Sequence, residues 1–281
     1  MSDTFDAGYG KLLETRLRVM TWNIWGRNGP WEARQPAVVA TLRKVDADLI
    51  ALQEVFDDGA RSQADELAAA LGFHAIFAPA FTFDGVQMGN AVLARWPIRR
   101  HEVRLLPREG GGVTDDEGEE RLALLAEVDG PRGAVQLFCT HLSWRADHSG
   151  VRQEQVRAIC RFVADTRPRT FPAILCGDLN ADPASDEIRM LTGRGAVPVA
   201  GVIFRDAWES VNPDDTGHTW SNANPFARAT LDVARRIDHI LTTWPKAGGA
   251  GHCLAARIAG DEPVKGIHGS DHLGVVAELR Y

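Results

Sequence analysis

The stretch AILCGDLNADP (173–183) joins an apolar run to a glycine, after which Asp178 and Asn180 follow with one leucine between them. The apolar run is typical of a short strand that is buried on both faces of a sheet. If the backbone stays extended beyond the run, Asp178 and Asn180 point to one side and Leu179 points to the core. The stretch therefore predicts a rigid strand that presents two polar groups at its end, where loops commonly carry chemistry.

Strand and helix patterns alternate on both sides of this stretch. RLRVMTWNIWG (16–26) is rich in β-branched and aromatic residues, and ADLIALQEV (47–55) is a short apolar run, so both predict strands. Apolar residues at helical spacing predict helices over 36–45, 61–72 and 149–166. The order predicts an α/β fold in which two mixed β-sheets pack face to face with helices outside.

The chain is expected to form one domain over residues 1–281, because no linker rich in proline, glycine or serine divides it. Residues 1–15 are expected to be a flexible N-terminus. The segment EGGGVTDDEGEE (109–120) contains glycine and acidic residues without apolar anchors, which favours a mobile surface loop.

Composition limits the kind of partner. Hydrophobic residues make up 44% and charged residues 25% of the chain, and the formal net charge is -7. This charge is unfavourable for gripping nucleic acid by bulk electrostatics, although carboxylates that hold a metal would add to the negative count. The four cysteines form no CxxC pair, so zinc-ribbon spacing is absent. The polar start and the lack of a ~20-residue apolar run predict no transmembrane segment and a cytoplasmic location.

Polar side chains of acid, amide and imidazole type recur at the ends of the predicted strands. One such residue alone usually caps a turn, but eight such residues together favour a shared site. Carboxylates and amides without thiolates suit a hard cation, Mg²⁺ or Mn²⁺, and such cations assist hydrolysis at phosphorus. The residues at these strand ends are Asn23, Glu54, His141, Asp178, Asn180, Asp238, Asp271 and His272.

Seven short motifs resemble the endonuclease/exonuclease/phosphatase superfamily, which includes DNase-I-like nucleases, sphingomyelinases and inositol-phosphate phosphatases. They are distributed over nearly the whole chain. The resemblance implies a four-layer α/β sandwich and a divalent-metal-dependent hydrolase of phosphoric esters. In chain order the motifs are TWNIWG, LQEV, GNAVLAR, THLSW, GDLN, RIDHIL and GSDH.

The resemblance also implies a set of metal ligands and an activated water. Glu54 is similar to the primary metal ligand of the family, with Asn23 and Asp271 beside it. Asp178 is similar to the residue that orients and deprotonates the attacking water. Asn180 is expected to hold that water or a phosphoryl oxygen.

Three further residues resemble the groups that manage charge on the phosphate. His272 is expected to donate a hydrogen bond to a non-bridging oxygen, and Asp238 to pair with His272 and favour its charged form. His141 is expected to contact the scissile phosphate or supply a proton. The simpler alternative for Asp238 is a buried ion pair with Arg235 or Arg236.

Other residues near the motifs allow two interpretations. Asn90 either lies at the floor of the cleft or closes a turn. Trp144 and Arg145 either form a substrate wall or belong to a capped helix start with a packed tryptophan. The aromatic segment FAPAFTFDG (77–85) either contacts lipid or bases, or packs in the core.

The substrate is expected to contain a phosphodiester, in nucleic acid, a lipid head group or a small metabolite. Nuclease-like action is the first hypothesis. The alternatives are a lipid phosphodiesterase of sphingomyelinase type, a phosphomonoesterase acting on a small metabolite, and a non-enzymatic scaffold that only binds phosphate ligands.

Overall fold

The fold was analysed from a computed structural model, which describes residues 15–108, 120–166 and 170–281. The expected N-terminal segment 1–15 and the expected loop 109–120 lie outside these ranges, apart from Thr15 and Glu120. In the described ranges, no helix is long and apolar enough to cross a membrane.

Twelve strands of the described residues form two six-stranded sheets. The first has the order β11-β12-β1-β2-β4-β3 and the second the order β5-β6-β7-β8-β10-β9, once the strands are numbered along the chain. β1 pairs with β2 and β7 with β8 in parallel, and the other pairs are antiparallel, so both sheets are mixed as predicted. The strands are β1 (Arg16–Asn23), β2 (Leu49–Asp57), β3 (His74–Phe83), β4 (Val86–Ala94), β5 (Ile98–Leu105), β6 (Leu122–Gly130), β7 (Gly133–His141), β8 (Ile174–Asp178), β9 (Phe204–Asp206), β10 (Asp238–Thr243), β11 (Cys253–Ala259) and β12 (Gly274–Arg280).

Five α-helices of the described residues connect these strands: α1 (Trp31–Val45), α2 (Gln63–Leu71), α3 (Ser149–Thr166), α4 (Asp186–Thr192) and α5 (Ala207–Val211). The prediction for α1 was too short, because the helix begins at Trp31 and continues through Pro36. The proline lacks the N–H that would bond the carbonyl of Glu32, but the buried face of α1 still packs on the first sheet. Gly72 ends α2 in the left-handed conformation, as predicted.

Apolar side chains of the described residues form three buried clusters, which separate four layers. One cluster lies between the two sheets, the second lies between the second sheet and α3 and α4, and the third lies between the first sheet and α1 and α2. This arrangement confirms the predicted fold class, a four-layer α/β sandwich. Strand alternation produces it: in β8, Cys176 faces the other sheet while Leu175 faces the helices.

The strands that carry the polar motifs end at one edge of the sandwich. His141 and Asp238 are the direct partners of Asp178 in the strand register, so the three residues lie side by side on β7, β8 and β10. Gly177 makes this close alignment possible, since a Cβ there would lie 1.9 Å from the carbonyl oxygen of Thr140. The glycine in the motif therefore serves the approach of β7 to β8.

Asp206 ends β9 at the edge of the second sheet, where its carboxylate accepts several hydrogen bonds. Its carboxylate accepts hydrogen bonds from the backbone N–H of Trp208 at 2.8 Å and from Arg236 at 2.8 Å, and it lies 3.2 Å from His239 Nδ1. Burial tends to raise the pKa of Asp206, but His239 and then Arg236 hold this pKa well below its ordinary value. The ionised form of Asp206 thus stabilises the fold.

We expect Asp206→Asn to lower the free energy of unfolding by about 3–5 kcal/mol, because it leaves the Arg236 guanidinium buried without its counter-charge. Since folding lowers the pKa of Asp206, the loss in free energy of unfolding should have its full size at pH 5–7. It should shrink as the pH falls below the unfolded pKa of about 3.9, because the unfolded wild type then takes up a proton while the folded Asp206 carboxylate stays ionised. Urea unfolding across this pH range measures it, with the exposed Asp186→Asn as control. A loss independent of pH would contradict the assignment.

Candidate active site

A cavity of 1490 Å³ opens at the edge where the strands from both sheets end. Most of the polar residues predicted from the sequence meet there, although they come from opposite sheets. Asn23 and Asp238 lie just behind the cavity surface, where they contact residues that line it. The predicted residues that line the cavity are Glu54, Asn90, His141, Trp144, Asp178, Asn180, Asp271 and His272.

Asp178 is the central group of the cluster. Its Oδ2 accepts a hydrogen bond from Asn23 Nδ2 at 3.1 Å and lies 3.4 Å from His141 Nε2 and 3.7 Å from His272 Nε2. Its Oδ1 accepts the backbone N–H of Asn180 at 2.9 Å. The carboxylate is thus held from both sides, with histidine nitrogens from two different sheets beside one oxygen.

The backbone after Asp178 differs from the extended chain expected from the sequence. β8 ends at Asp178, and Asn180 adopts the left-handed conformation with a φ of +48°. The side-chain amide of Asn180 donates through Nδ2 to the carbonyl of Leu142 at 3.1 Å, and this bond fixes the turn. Both polar groups still reach the cavity and Leu179 still faces the core, but a tight turn produces this arrangement, and not strand alternation.

His272 and Asp238 form a buried pair. His272 Nδ1 lies 2.9 Å from Asp238 Oδ2, and the edge of the Trp220 ring packs on the imidazole at 4.7 Å between centroids. Although burial alone would lower the pKa of His272, the carboxylates of Asp238 and Asp178 raise it well above its ordinary value. The imidazole is therefore held in its charged form, with Nε2 directed toward Asp178.

Two other groups have pKa values shifted in useful directions. Burial, followed by the charge of Asp238, raises the pKa of Asp178 to about 6. Burial, followed by the positive charges of Arg121 and His272, lowers the pKa of His141 well below its ordinary value. The site thus combines a neutral histidine, a charged histidine and a carboxylate whose pKa lies near neutrality.

Glu54 reaches the cavity because β2 is irregular at this point. The pairing of β2 with β4 shifts between Leu52 and Val55, and Glu54 has a φ of +55°. A bulge of this kind turns a side chain away from the regular alternation of the strand, and such strain is commonly found at functional sites. Burial raises the pKa of Glu54, while a hydrogen bond from Asn23 opposes that shift.

Asn23 links the carboxylates on the two sides of the site. Its Nδ2 donates to Glu54 Oε1 at 2.9 Å as well as to Asp178, while its Oδ1 accepts the backbone N–H of Trp25 at 3.0 Å. The structure therefore places the amide nitrogen of Asn23, and not its oxygen, toward the carboxylates.

Glu54 and Asp271 fit the donor chemistry of a hard divalent cation. Both line the cavity, and burial together with the charge of Glu54 raises the pKa of Asp271 to about 6, against the opposing effect of His272. Two carboxylates that destabilise each other's charge in a low-dielectric site are the oxygen ligands that Mg²⁺ and Mn²⁺ prefer.

Among the described residues, Asp178, Asp238 and His272 form a group that could hold a cation by geometry, since their ligand atoms lie within 4.8 Å of one another. However, His272 Nδ1 is engaged by Asp238, and the raised pKa of the imidazole keeps it protonated. A protonated imidazole cannot ligate a metal. The donor chemistry of Glu54 and Asp271 therefore suits a hard cation better than that of this group.

The three residues considered for substrate contact lie in different places. Asn90 is buried at the cavity wall, where its amide donates to the carbonyl of Leu122 at 3.4 Å. Trp144 lines the cavity with 47% of its surface exposed. The guanidinium of Arg145 lies 3.6 Å from Asp147 and is not part of the cavity lining.

The aromatic segment of β3 divides between core and cavity. Phe77 packs on the buried cluster under α1 and α2, whereas Phe81 and Phe83 line the cavity. Trp25 lines the same cavity, while Trp22 lies beneath the site and donates to the carbonyl of His272 at 3.0 Å. The cavity therefore has ring systems along its walls and charged groups at its floor.

Three residues of the site were missed by sequence reasoning. Arg34 holds the loop after β1 from behind, Arg121 lines the cavity beside the acidic groups, and Trp220 packs on His272. Only Arg34 gave a signal, because it shares the apolar stripe of α1 with Val38 and Leu42 at four-residue spacing. A charged residue on a buried helical face requires a polar partner, which could have marked it.

Comparison with known proteins gives a family match over most of the chain. Residues 20–272 match the model of the Endonuclease/Exonuclease/phosphatase family. A 5'-tyrosyl-DNA phosphodiesterase of Caenorhabditis briggsae is 27% identical over 239 residues, 82% of this chain and 60% of its own length. A putative neutral sphingomyelinase of Drosophila melanogaster is 25% identical over 298 residues, 96% of this chain and 62% of its own length. The chain spans 30% of the length of mouse angel homolog 2, 60% of the Caenorhabditis briggsae protein and 62% of the Drosophila protein.

A solved structure agrees with the sequence match. The endonuclease/exonuclease/phosphatase from Beutenbergia cavernae superposes with a TM-score of 0.71 at 29% identity, covering 94% of this chain and 71% of that chain. The family match covers most of the chain and includes every predicted strand-end residue from Asn23 to His272. The chain belongs to the Endonuclease/Exonuclease/phosphatase family.

Proposed function

We propose that this protein is a divalent-metal-dependent phosphodiesterase that hydrolyses its substrate by in-line attack of water. One observation carries the proposal. The Asp178 carboxylate, with its pKa near neutrality, lies 3.7 Å from the charged His272 in a cavity that also contains Glu54 and Asp271. This combination provides a base, a hydrogen-bond donor for developing charge and a cation site within one enclosure.

Asp178 is the general base in this proposal. A base is most effective when its pKa lies close to the working pH, and burial brings the pKa of Asp178 to about 6. The backbone N–H of Asn180 and the amide of Asn23 hold its two oxygens, so the carboxylate is oriented before a water molecule arrives.

His272 stabilises the charge that develops on the phosphoryl oxygens. Asp238 holds the imidazole through Nδ1 and favours its protonated form, which leaves the Nε2–H as a donor. His141 is neutral and provides a second donor or acceptor beside Asp178. Asn180 faces the same space and contacts the water or a phosphoryl oxygen.

Glu54 and Asp271 are the proposed ligands of Mg²⁺ or Mn²⁺, with Asn23 holding Glu54 in place. When bound, the cation supplies charge neutralisation at a phosphoryl oxygen. Arg121 adds a fixed positive charge that acts on both Glu54 and His141.

The proposed substrate is a phosphodiester that carries a ring system or an apolar group, with nuclease-like action on short single strands as the first candidate. Stacking on the aromatic walls would hold successive bases or a single aryl group. Long duplex DNA fits less well, because Arg27 and Arg235 at the cavity are already paired with Asp58 and Asp182.

A lipid phosphodiesterase is the second candidate. Phe83 and Leu231 line the cavity and are 76% and 81% exposed, so they would suit contact with acyl chains at a membrane surface. The sphingomyelinase-type alternative therefore has a specific structural feature in its favour.

We expect the purified protein to hydrolyse bis-p-nitrophenyl phosphate with Mn²⁺ or Mg²⁺, and EDTA to stop the reaction until the cation is restored. Release of p-nitrophenolate measures the rate, and Asp178→Ala protein prepared in parallel is the blank. Turnover that survives EDTA would contradict the dependence on a divalent cation, and absence of turnover with every substrate below would favour the phosphate-binding scaffold.

A panel of four substrates separates the substrate classes. A short single-stranded oligonucleotide, a nicked plasmid, sphingomyelin vesicles and p-nitrophenyl phosphate should be tested under identical conditions. Preference for the oligonucleotide would support the first candidate, preference for vesicles the second, and preference for the monoester would overturn the diester assignment.

A further inference from the structure

Arg34 in α1 is almost completely buried and donates only to backbone carbonyls among the described residues. Its side chain is 1% exposed. Nη1 donates to the carbonyls of Ile24 at 3.0 Å and Gly269 at 2.5 Å, and Nη2 donates to three carbonyls of the loop after β1. Those three belong to Trp25, Gly26 and Asn28, at 3.0, 2.9 and 2.9 Å.

These carbonyls belong to two segments that reach the site from distant parts of the chain. The loop 24–28 begins directly after Asn23, and Gly269 comes two residues before Asp271. Ser270 adds a parallel link, because its hydroxyl donates to the carbonyl of Asn23 at 2.7 Å. The guanidinium thus fixes the spacing between the end of β1 and the segment that carries Asp271 and His272.

The positive charge of Arg34 also faces the acidic groups of the site. Burial lowers the pKa of Arg34 to about 10, and the charges of Asp271 and Glu54 oppose that shift at longer range. A buried guanidinium is costly unless its geometry is well used. Here its planar fork serves five carbonyls, which the single ammonium of lysine cannot reproduce.

We infer that Arg34 is a positioning residue for the cation site, because it clamps the two backbone segments that set Asp271 against the β1 side of the cavity. The inference rests on the proposed function, since it concerns the same cation. Arg34 does not touch the proposed ligands, so it acts through the backbone that carries them.

The charge of Arg34 and its contacts with the backbone should have opposite effects on the affinity for the cation, and this makes the inference testable. A positive charge behind the site repels a divalent cation, so loss of charge alone should tighten binding. Loss of the clamp should weaken binding, since groups that orient metal ligands commonly contribute about 10–100-fold to affinity. Arg34→Lys keeps the charge and loses the fork, so it isolates the positional effect.

We expect Arg34→Lys to weaken Mn²⁺ binding by about 10–100-fold, measured by titration calorimetry on the folded protein. The stabilisation of the melting temperature by Mn²⁺ should fall in parallel. Arg152→Lys is the matched control, because Arg152 is 4% exposed and bonds the carbonyls of Ser143 and Arg145 outside the cation site. It should lower the melting temperature but keep the Mn²⁺ affinity of wild type.

The outcomes separate this inference from the proposed function. If wild type neither binds Mn²⁺ nor hydrolyses a diester, the proposed function fails. If wild type does both while Arg34→Lys binds Mn²⁺ equally well, the positioning role is wrong. Arg34→Met loses charge and fork together, so tighter Mn²⁺ binding by Arg34→Met with unchanged binding by Arg34→Lys would show that Arg34 acts through its charge alone. If Arg34→Lys does not fold, Arg34→Gln replaces it: weaker Mn²⁺ binding would support the positioning role, because loss of charge alone should tighten binding, and equal or tighter binding would overturn it.

Discussion

Replacing Asp178 with asparagine is expected to lower kcat by about 10²–10⁴-fold, because the amide cannot accept the proton of the attacking water. The substitution preserves size and can still accept the N–H of Asn180, so the turn after β8 should remain. Removal of one buried negative charge should also leave the fold intact, since the pKa of Asp178 is raised by burial and not lowered. Initial rates with bis-p-nitrophenyl phosphate under saturating Mn²⁺ measure the effect.

Asp182→Asn is the matched control for this prediction. Asp182 lies on the same loop, but its carboxylate pairs with Arg235 at 2.9 Å and is 41% exposed. Its loss should change kcat less than about tenfold, because exposed ion pairs contribute little. Near-normal turnover by Asp178→Asn would exclude Asp178 as the base and direct attention to His141, which lies 3.4 Å away.

Replacing His272 with glutamine is expected to lower kcat by about 10²–10³-fold, because a neutral amide replaces a charged donor to the phosphoryl oxygens. KM should change less, since this contact strengthens as charge develops in the transition state. Asp238→Asn should reduce kcat in the same direction, because the imidazole then loses its closest anionic partner at 2.9 Å. Steady-state kinetics at several Mn²⁺ concentrations separate this effect from loss of the cation.

His268→Gln serves as the control, because His268 lies close in sequence but is not part of the cavity lining. Equal losses in His268→Gln and His272→Gln would indicate that the segment tolerates no change, and that His272 has no separate role. A rise in KM with constant kcat in His272→Gln would place His272 in substrate binding alone.

Most acid, amide and imidazole side chains of the candidate site could be predicted from the sequence, because they lie at the ends of predicted strands. Asp178 and His141 lie where apolar runs end and Asp238 lies where one begins, and the apolar pattern determines the bounds of these strands. Their convergence depends on the antiparallel return of β10 beside β8, which no local pattern encodes. The shared motifs of the family supplied that information instead.

Local backbone irregularity could not be anticipated. The run that contains Glu54 reads as a regular strand, yet a bulge and a positive φ turn this side chain to the cavity. Asn180 reaches the cavity through a left-handed turn where extended backbone was expected. Glutamate rarely adopts a positive φ, so the residue type gave no sign at Glu54, whereas asparagine adopts this conformation more readily than most residues. Tertiary contacts across the site, such as Asn23 to Glu54, support these conformations.

The cavity lies on the seam between two sheets, and hydrogen bonds cross that seam within the site, among them Asn23 to Asp178 at 3.1 Å and His272 to Asp238 at 2.9 Å. Neither half of the sandwich contains a working set of groups by itself. The proposed turnover would therefore depend on how the two halves pack together, and a shift of one against the other would abolish it while leaving each sheet intact. During denaturation, catalytic loss should therefore precede or coincide with the loss of strand structure, and never follow it.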